Sequence, residues 1–290
     1  LPSQKLALFL LCLMPMSMFQ AASLSADVLT NSLAILLVSL VAKLKAETKI
    51  PIAKHQLLGI TAIAILLSVA KLAYFPLLAL LLLIPPRKLK GKFMYSLSLF
   101  SIWTMSAIAA ITWSSIVKQI YVPLAADVLP DRQLEFIVDR PLQFLSILGK
   151  TFHLEGLDYL HQFIGILGWF DTPLSLWHVL SYWGLLLGTA LYSSSSYLSI
   201  SVRQKWGIVL LLVLNAIGLC TLAYLWNPVA AKIVGGVQGR YFIPLALPLI
   251  LVFYNPDRQY KLKKILPWIF CYSILSAIVT LFVVWNRYYG

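Results

Sequence analysis

Residues 206–226 read WGIVLLLVLNAIGLCTLAYLW, a block with no charged side chain, a tryptophan at each end, and Arg203 and Lys205 just before it. At about 1.5 Å per residue, a helix of this length crosses the roughly 30 Å hydrocarbon core of a bilayer. In lipid every backbone N–H and C=O must pair within its own segment, so the block is read as a helix. The alternating strands of about ten residues that build a membrane barrel are missing.

Working outward, the same kind of block recurs at about 5–22 (with Pro15 as a kink), 28–44, 93–117, 174–192, 237–254 and 265–285. Between 56 and 87 the pattern changes. Two runs, 57–70 and 73–84, are each short of a crossing, and Lys71 divides them. Both flanks are basic: Lys43, Lys45, Lys49 and Lys54 come before, and Arg87, Lys88, Lys90 and Lys92 after. Such flanks fit a pair of short helices that dips into the membrane and returns. Residues 118–173 form one long polar insertion, which holds seven of the ten acidic residues. Its apolar interludes at 142–148 and 160–167 have the spacing of helices lying along an interface. The expected fold is an all-α, polytopic transmembrane helix bundle. It is a single domain over 1–290, with one membrane-dipping helix pair and one outer-face segment.

Composition excludes the other broad classes. The chain is 60% hydrophobic and 11% charged, against about 25% charged in soluble domains. The net charge of +13 is not a nucleic-acid footprint, because the basic residues sit in short clusters between spans. With the N-terminus inside, the cytoplasmic loops hold 15 of the 23 Lys and Arg but only two acids, so the entire net charge falls on that face. This is the positive-inside pattern, and it places 118–173 outside. Trp206, Trp226, Trp285, Tyr288 and Tyr289 at the span ends read as an aromatic belt. Cys12, Cys220 and Cys271 each lie in an apolar block and offer neither a disulfide framework nor metal-ligand spacing.

A few residues break the apolar pattern in ways that chemistry could use. Gly235, Gly236 and Gly239 precede Arg240 and Tyr241 at the outer start of a span, beside Gln238. Tight turns, a helix N-terminus and a guanidinium together suit a phosphate or diphosphate; the alternative is an interfacial arginine snorkelling from a flexible loop. Lys71 either faces a cavity or snorkels to headgroups. Asp27, after Ser23 and Ser25 and one turn before Asn31, reads as a helix N-cap, a catalytic base or a ligand to a divalent cation. No spacing assigns metal ligands, and the scattered His153, Glu155, Asp158 and His161 match no established pattern. Gly168, Trp169 and Asp171, in the stretch 165–173, combine glycine turns with an interfacial tryptophan and a carboxylate just before a span.

Four segments taken in order resemble a bacterial multi-pass family catalogued as domain of unknown function 2142. They are Pro15-Met16 through Ser25-Ala26-Asp27; Lys71 and the run to Pro85; 167–174, LGWFDTPL; and 236–245, GVQGRYFIPL. The family is similar in architecture to type-C glycosyltransferases, which take a sugar from a polyprenyl-phosphate carrier on the outer face. The resemblance implies an enzyme-like scaffold in the bacterial cytoplasmic membrane acting on a cell-envelope glycan or lipid. Arg240, Lys71, Gln238, Gly239 and Tyr241 would then hold the lipid phosphate, and the base would be an outer carboxylate, either one in the first outer loop of family members or Asp27. Family members begin with a further span and an outer loop bearing a Pro-Asp-Glu motif. The chain opens on Leu1 without that element, so it reads as a piece of a longer protein. The other readings are a transporter or flippase-like protein for lipid-linked sugars, and a scaffold of envelope assembly.

Overall fold

The computed structural model describes residues 5–47, 51–89, 91–120, 122, 125, 127–192, 198–254 and 265–290. Lys49, Lys90 and the basic cluster at 258–264 lie outside the described residues. The fold is an all-α bundle. Among the described residues, four helices are long and apolar enough to cross a membrane alone, and a fifth crossing forms if one bent pair counts as a single span.

That bent pair is α1 (Lys5–Cys12) and α2 (Pro15–Ala22), which meet at 54°. The break falls where the sequence places it. Pro15 has no amide to donate into the preceding turn, so it opens a new helix instead of continuing the old one. The next element is α3 (Ala26–Ala46), which starts at the same end of the bundle.

The dipping pair is present, with a difference in its second limb. α4 (Lys54–Ala70) ends at Lys71, and a 3-10 helix, Leu72–Leu83, returns. Both flanks sit at one end of the bundle: the Ile52 amide donates to the Lys88 carbonyl at 3.0 Å. Two α-helices of 17 and 12 residues would be unequal in length, but their windings differ. Seventeen residues at about 1.5 Å cover about 25 Å, and twelve at the 3-10 rise of about 2.0 Å cover about 24 Å. The 3-10 form therefore lets the shorter limb match the longer. Runs this long are uncommon, and α5 (Lys92–Ile120) supports this one: Tyr95 and Trp103 donate to the Leu82 and Leu78 carbonyls, each at 3.3 Å.

The insertion is largely helical. It comprises α6 (Pro130–Asp139), α7 (Pro141–Ile164) and a two-residue antiparallel ladder, β1 (Ile166–Leu167) with β2 (Thr172–Pro173). Then come α8 (Leu176–Tyr192), α9 (Val202–Tyr224), a 3-10 turn (Gly239–Phe242), α10 (Ile243–Phe253) and α11 (Leu266–Tyr288). Two blocks read as spans are shorter than a full crossing, with 17 residues in α8 and 11 in α10. α10 can be short because it is the central element. Ile243, Leu245, Leu247, Ile250 and Leu251 are all buried against neighbouring helices, and backbone enclosed by protein need not reach across lipid. α5 and α11 instead expose Phe100, Ile108, Ile111, Ile278, Leu281 and Phe282 along their lengths, which is the surface a bilayer covers.

At the end opposite the insertion, basic side chains close helix C-termini. Lys88 Nζ donates to the Leu44 carbonyl at 2.8 Å, and Lys205 Nζ to the Tyr254 carbonyl at 2.6 Å. Cations there neutralise the last carbonyls and the negative end of the helix dipole.

Candidate functional site

At the end that carries the insertion, three stretches far apart in sequence meet. The first is the start of α3. Ser25 caps this helix by accepting the Asp27 amide at 3.2 Å, so the Asp27 carboxylate is not spent on capping. It turns inward, with Oδ1 at 3.5 Å from Lys71 Nζ and Oδ2 at 3.4 Å from Arg240 Nε.

Lys71 stands at the turn of the dipping pair. Its ammonium lies 3.3 Å from the centroid of the Tyr241 ring, a cation–π contact in place of the snorkelling alternative. Tyr74 fixes that ring's backbone by donating from its hydroxyl to the Tyr241 carbonyl at 2.7 Å. Behind Asp27 runs an amide relay: Gln20 Nε2 donates to Oδ2 at 3.4 Å, and Asn31 Nδ2 donates to Gln20 Oε1 at 2.7 Å.

The three charged side chains are 27%, 16% and 25% exposed for Lys71, Asp27 and Arg240. At an effective dielectric near 20, each cation is attracted to the carboxylate by about 4 kcal/mol before desolvation and the repulsion between the two cations are counted. The trio stays together, yet two cations face one carboxylate. One positive charge is left over in a half-enclosed place, which favours an anion. Arg240 Nε is buried and makes no aligned hydrogen bond, so its tie to Asp27 is electrostatic.

The glycine-rich stretch is held firmly. Asn227 accepts the Gly235 amide at 2.6 Å and donates to its carbonyl at 3.2 Å. Gln133 on α6 accepts the Ala230 amide at 2.9 Å, and Thr151 on α7 accepts the Val234 amide at 2.9 Å. Gly236 turns at φ +82°, in the left-handed region. Gly239 serves close approach: a Cβ there would collide with the Tyr159 carbonyl, the Gln162 side chain and the Phe163 amide of α7.

The helix N-terminus expected to face an anion has its amides partly occupied: the Gly239 N–H donates to Gln162 Oε1 at 2.7 Å and the Tyr241 N–H to the Gln238 carbonyl at 2.9 Å. With those two amides occupied, the Arg240 and Lys71 side chains are the cations that this place offers to an anion. Gln238 adds a buried Oε1 without a partner, an acceptor suited to a hydroxyl and not to a phosphate oxygen.

The stretch 165–173 stands apart from this trio and works as a clasp. Asp171 Oδ1 accepts from the Trp169 amide at 3.0 Å, the Thr172 hydroxyl at 3.2 Å and the Tyr288 hydroxyl at 3.2 Å. Its Oδ2 accepts from Arg287 Nε at 3.1 Å and an Arg287 terminal nitrogen at 3.0 Å. Desolvation pushes the Asp171 carboxyl up, but the donors from Arg287, Trp169, Thr172 and Tyr288 together outweigh it and hold the group below its ordinary value. Gly168, at φ +65°, leaves room for Asp171 and Tyr288 where a Cβ would strike both. Trp169 is almost wholly exposed.

His153, Glu155, Asp158 and His161 are spread along α7, and among the described residues no three His, Cys, Asp or Glu converge as a ligand set. An apolar cleft of about 340 Å³ lies between α8, α9 and α10, bounded by Trp183, Leu212 and Phe242, and has no charged side chain in its lining.

The residues of the trio all stood out in the sequence; Gln20, Tyr74 and Gln162 did not, though each orients a member of the site. No curated protein and no solved structure matches the chain. A family model described as "Predicted membrane protein (DUF2142)" matches residues 1–250. That match takes in Asp27, Lys71, the 165–173 clasp and the Arg240 turn alike, and the chain belongs to this family of multi-pass membrane proteins, domain of unknown function 2142.

Proposed function

We propose that this is a glycosyltransferase-like protein of a bacterial cytoplasmic membrane, taking a sugar from a polyprenyl-phosphate carrier and passing it to a hydroxyl of a cell-envelope glycan or lipid. In this reading residues 118–173 face outward and the N-terminus of the chain faces the cytoplasm, as the charge split favours. The supporting observation is the meeting of Asp27 with Lys71 and Arg240 in one partly enclosed, net-positive place.

Each member of the trio has a role in this reading. The donor phosphate takes Arg240 and Lys71, and in doing so displaces the Asp27 carboxylate from both. The freed carboxylate accepts the proton of the acceptor hydroxyl. The acceptor oxygen bonds to the anomeric carbon while the bond from that carbon to the phosphate oxygen breaks, its electron pair remaining on the phosphate. Arg240 and Lys71 balance the charge that develops there.

The test is affinity for a polyprenyl phosphate in detergent at fixed salt. Arg240→Lys keeps the charge but loses the planar fork, and charged hydrogen bonds of about 1.5–3 kcal/mol make a loss of about tenfold or more the expected result. Lys71→Gln should weaken binding similarly, whereas Asp27→Asn removes the carboxylate that competes for the cations and should leave binding intact or tighter. Equal affinity in wild type, Arg240→Lys and Lys71→Gln removes the phosphate site and the main support for a transferase.

A further inference from the structure

Behind Gln20, which donates to Asp27, a second feature begins. A pocket of about 190 Å³ lies between the α1–α2 elbow, the first turns of α3 and the start of α10, lined by Cys12, Ser17, Gln20, Asn31, Ser32 and Ile243 among others. Its wall is mostly apolar, yet it gathers four polar side chains, Ser17, Gln20, Asn31 and Ser32. Gln20 is 1% exposed and spans the distance from the pocket wall to the Asp27 carboxylate. Ser17 Oγ is buried and has no hydrogen-bond partner, a state that costs free energy unless something else pairs with it. Cys12 and Ser32 are exposed, so the mouth opens on the flank of the bundle and not only at its end.

The bend makes this space. Were α1 and α2 one straight helix, the elbow at Leu13 and Met14 would not part from α3. Discontinuous helices that line a polar cavity are how membrane proteins hold polar ligands below the surface. The volume matches about six liquid waters and falls below the usual span for drug-sized ligands. It suits a single small ring or polyol.

We infer that this pocket receives one hydroxyl-rich group, a sugar ring or polyol carried as the head of a lipid and arriving sideways from the bilayer, and that Gln20 and Asn31 hold it with a hydroxyl toward Asp27. The inference rests on the transferase reading only for what happens next: the pocket supplies the acceptor side, and Arg240 and Lys71 the donor side, of one carboxylate.

The test uses the full chain in an amine-oxide detergent, with binding followed by native mass spectrometry and thermal unfolding. The probes are decyl glucoside, free glucose and decyl phosphocholine. Decyl glucoside should bind saturably at one site, glucose at least tenfold more weakly, and decyl phosphocholine not measurably. Ser32→Phe, which plugs the exposed mouth, should weaken decyl glucoside at least tenfold. Ser17→Ala should also weaken it, yet unfold at the same or a higher temperature without ligand, because the unpaired hydroxyl is gone. Equal binding of glucoside and phosphocholine, or wild-type glucoside affinity in both variants, overturns the pocket. Glucose binding as tightly as decyl glucoside overturns sideways delivery. Polyprenyl phosphate affinity, measured on the same samples, keeps the two readings apart. If it responds to Arg240→Lys while the glucoside ignores both Ser32→Phe and Ser17→Ala, the pocket falls and the phosphate site stands. The reverse pattern fells the phosphate site alone.

Discussion

An aspartate near the start of a helix ordinarily serves that helix. Here Ser25 takes the duty, and Asp27 is released to stand between Lys71 and Arg240. Such charged residues are legible in a sequence because a charge inside an apolar run is costly and rarely idle. Their meeting is not legible, since nothing local says which way an ammonium turns. Gln20, Tyr74 and Gln162 went unread for a related reason: an amide or phenol near a span end looks like any interfacial residue. Gly239 is the position where one methyl group decides most. Gly239→Ala drives a Cβ into the α7 backbone, and overpacking of this kind costs about 1–3 kcal/mol. A lowered unfolding temperature is expected, with loss of the contact between Arg240 and Asp27. The same change at Gly149, on α7 with nothing within 4 Å of the added Cβ, should instead be neutral or stabilising by up to about 1 kcal/mol. If both variants unfold at one temperature, the close approach at Gly239 is not a constraint.

At the scale of elements, the clasp at 165–173 joins α7 and α8 to the C-terminal turn of α11 through one carboxylate. Its charge sets a pH dependence. The folded value lies below the ordinary one, so the stabilisation is fully present above the unfolded value of about 3.9 and is lost as pH falls through the lower folded value. Protection of the amides in 166–173, taken relative to their intrinsic exchange rates, should be high near neutrality and fall only below about pH 4. Asp171→Asn should show low protection at every pH. Uniform protection from neutrality down through that range in both proteins would mean the clasp does not depend on the charge. The glycines, Trp169 and Asp171 marked this loop in the sequence, but Arg287 and Tyr288 lie more than a hundred positions away and carry no local sign of being its partners. The dipping pair was legible from its basic flanks and from Lys71. Its 3-10 return was not, because a run rich in leucine satisfies either winding, and here Tyr95 and Trp103 on another helix serve its carbonyls.

At the scale of the whole molecule, the bundle puts both flanks of the dipping pair at one end and the insertion at the other. Single cysteines at Lys49 and Lys90 should therefore be labelled from the same face, and one at Asp139 from the opposite face. Labelling of the first two from opposite faces would mean that residues 54–83 cross the membrane once. The fold also makes the site's span depend on pitch. Rewound as an α-helix, the twelve residues of the 3-10 return would cover about 18 Å in place of about 24 Å. Their far end is anchored beside α3 through Lys88 and Leu44, so the slack of about 6 Å would appear at Lys71. That travel exceeds the 3.5 Å now separating its ammonium from Asp27. Pro76, within the return, has no amide for either ladder, so the pitch that keeps lysine and aspartate in reach of each other is supported from outside, by Tyr95 and Trp103 on the Leu82 and Leu78 carbonyls.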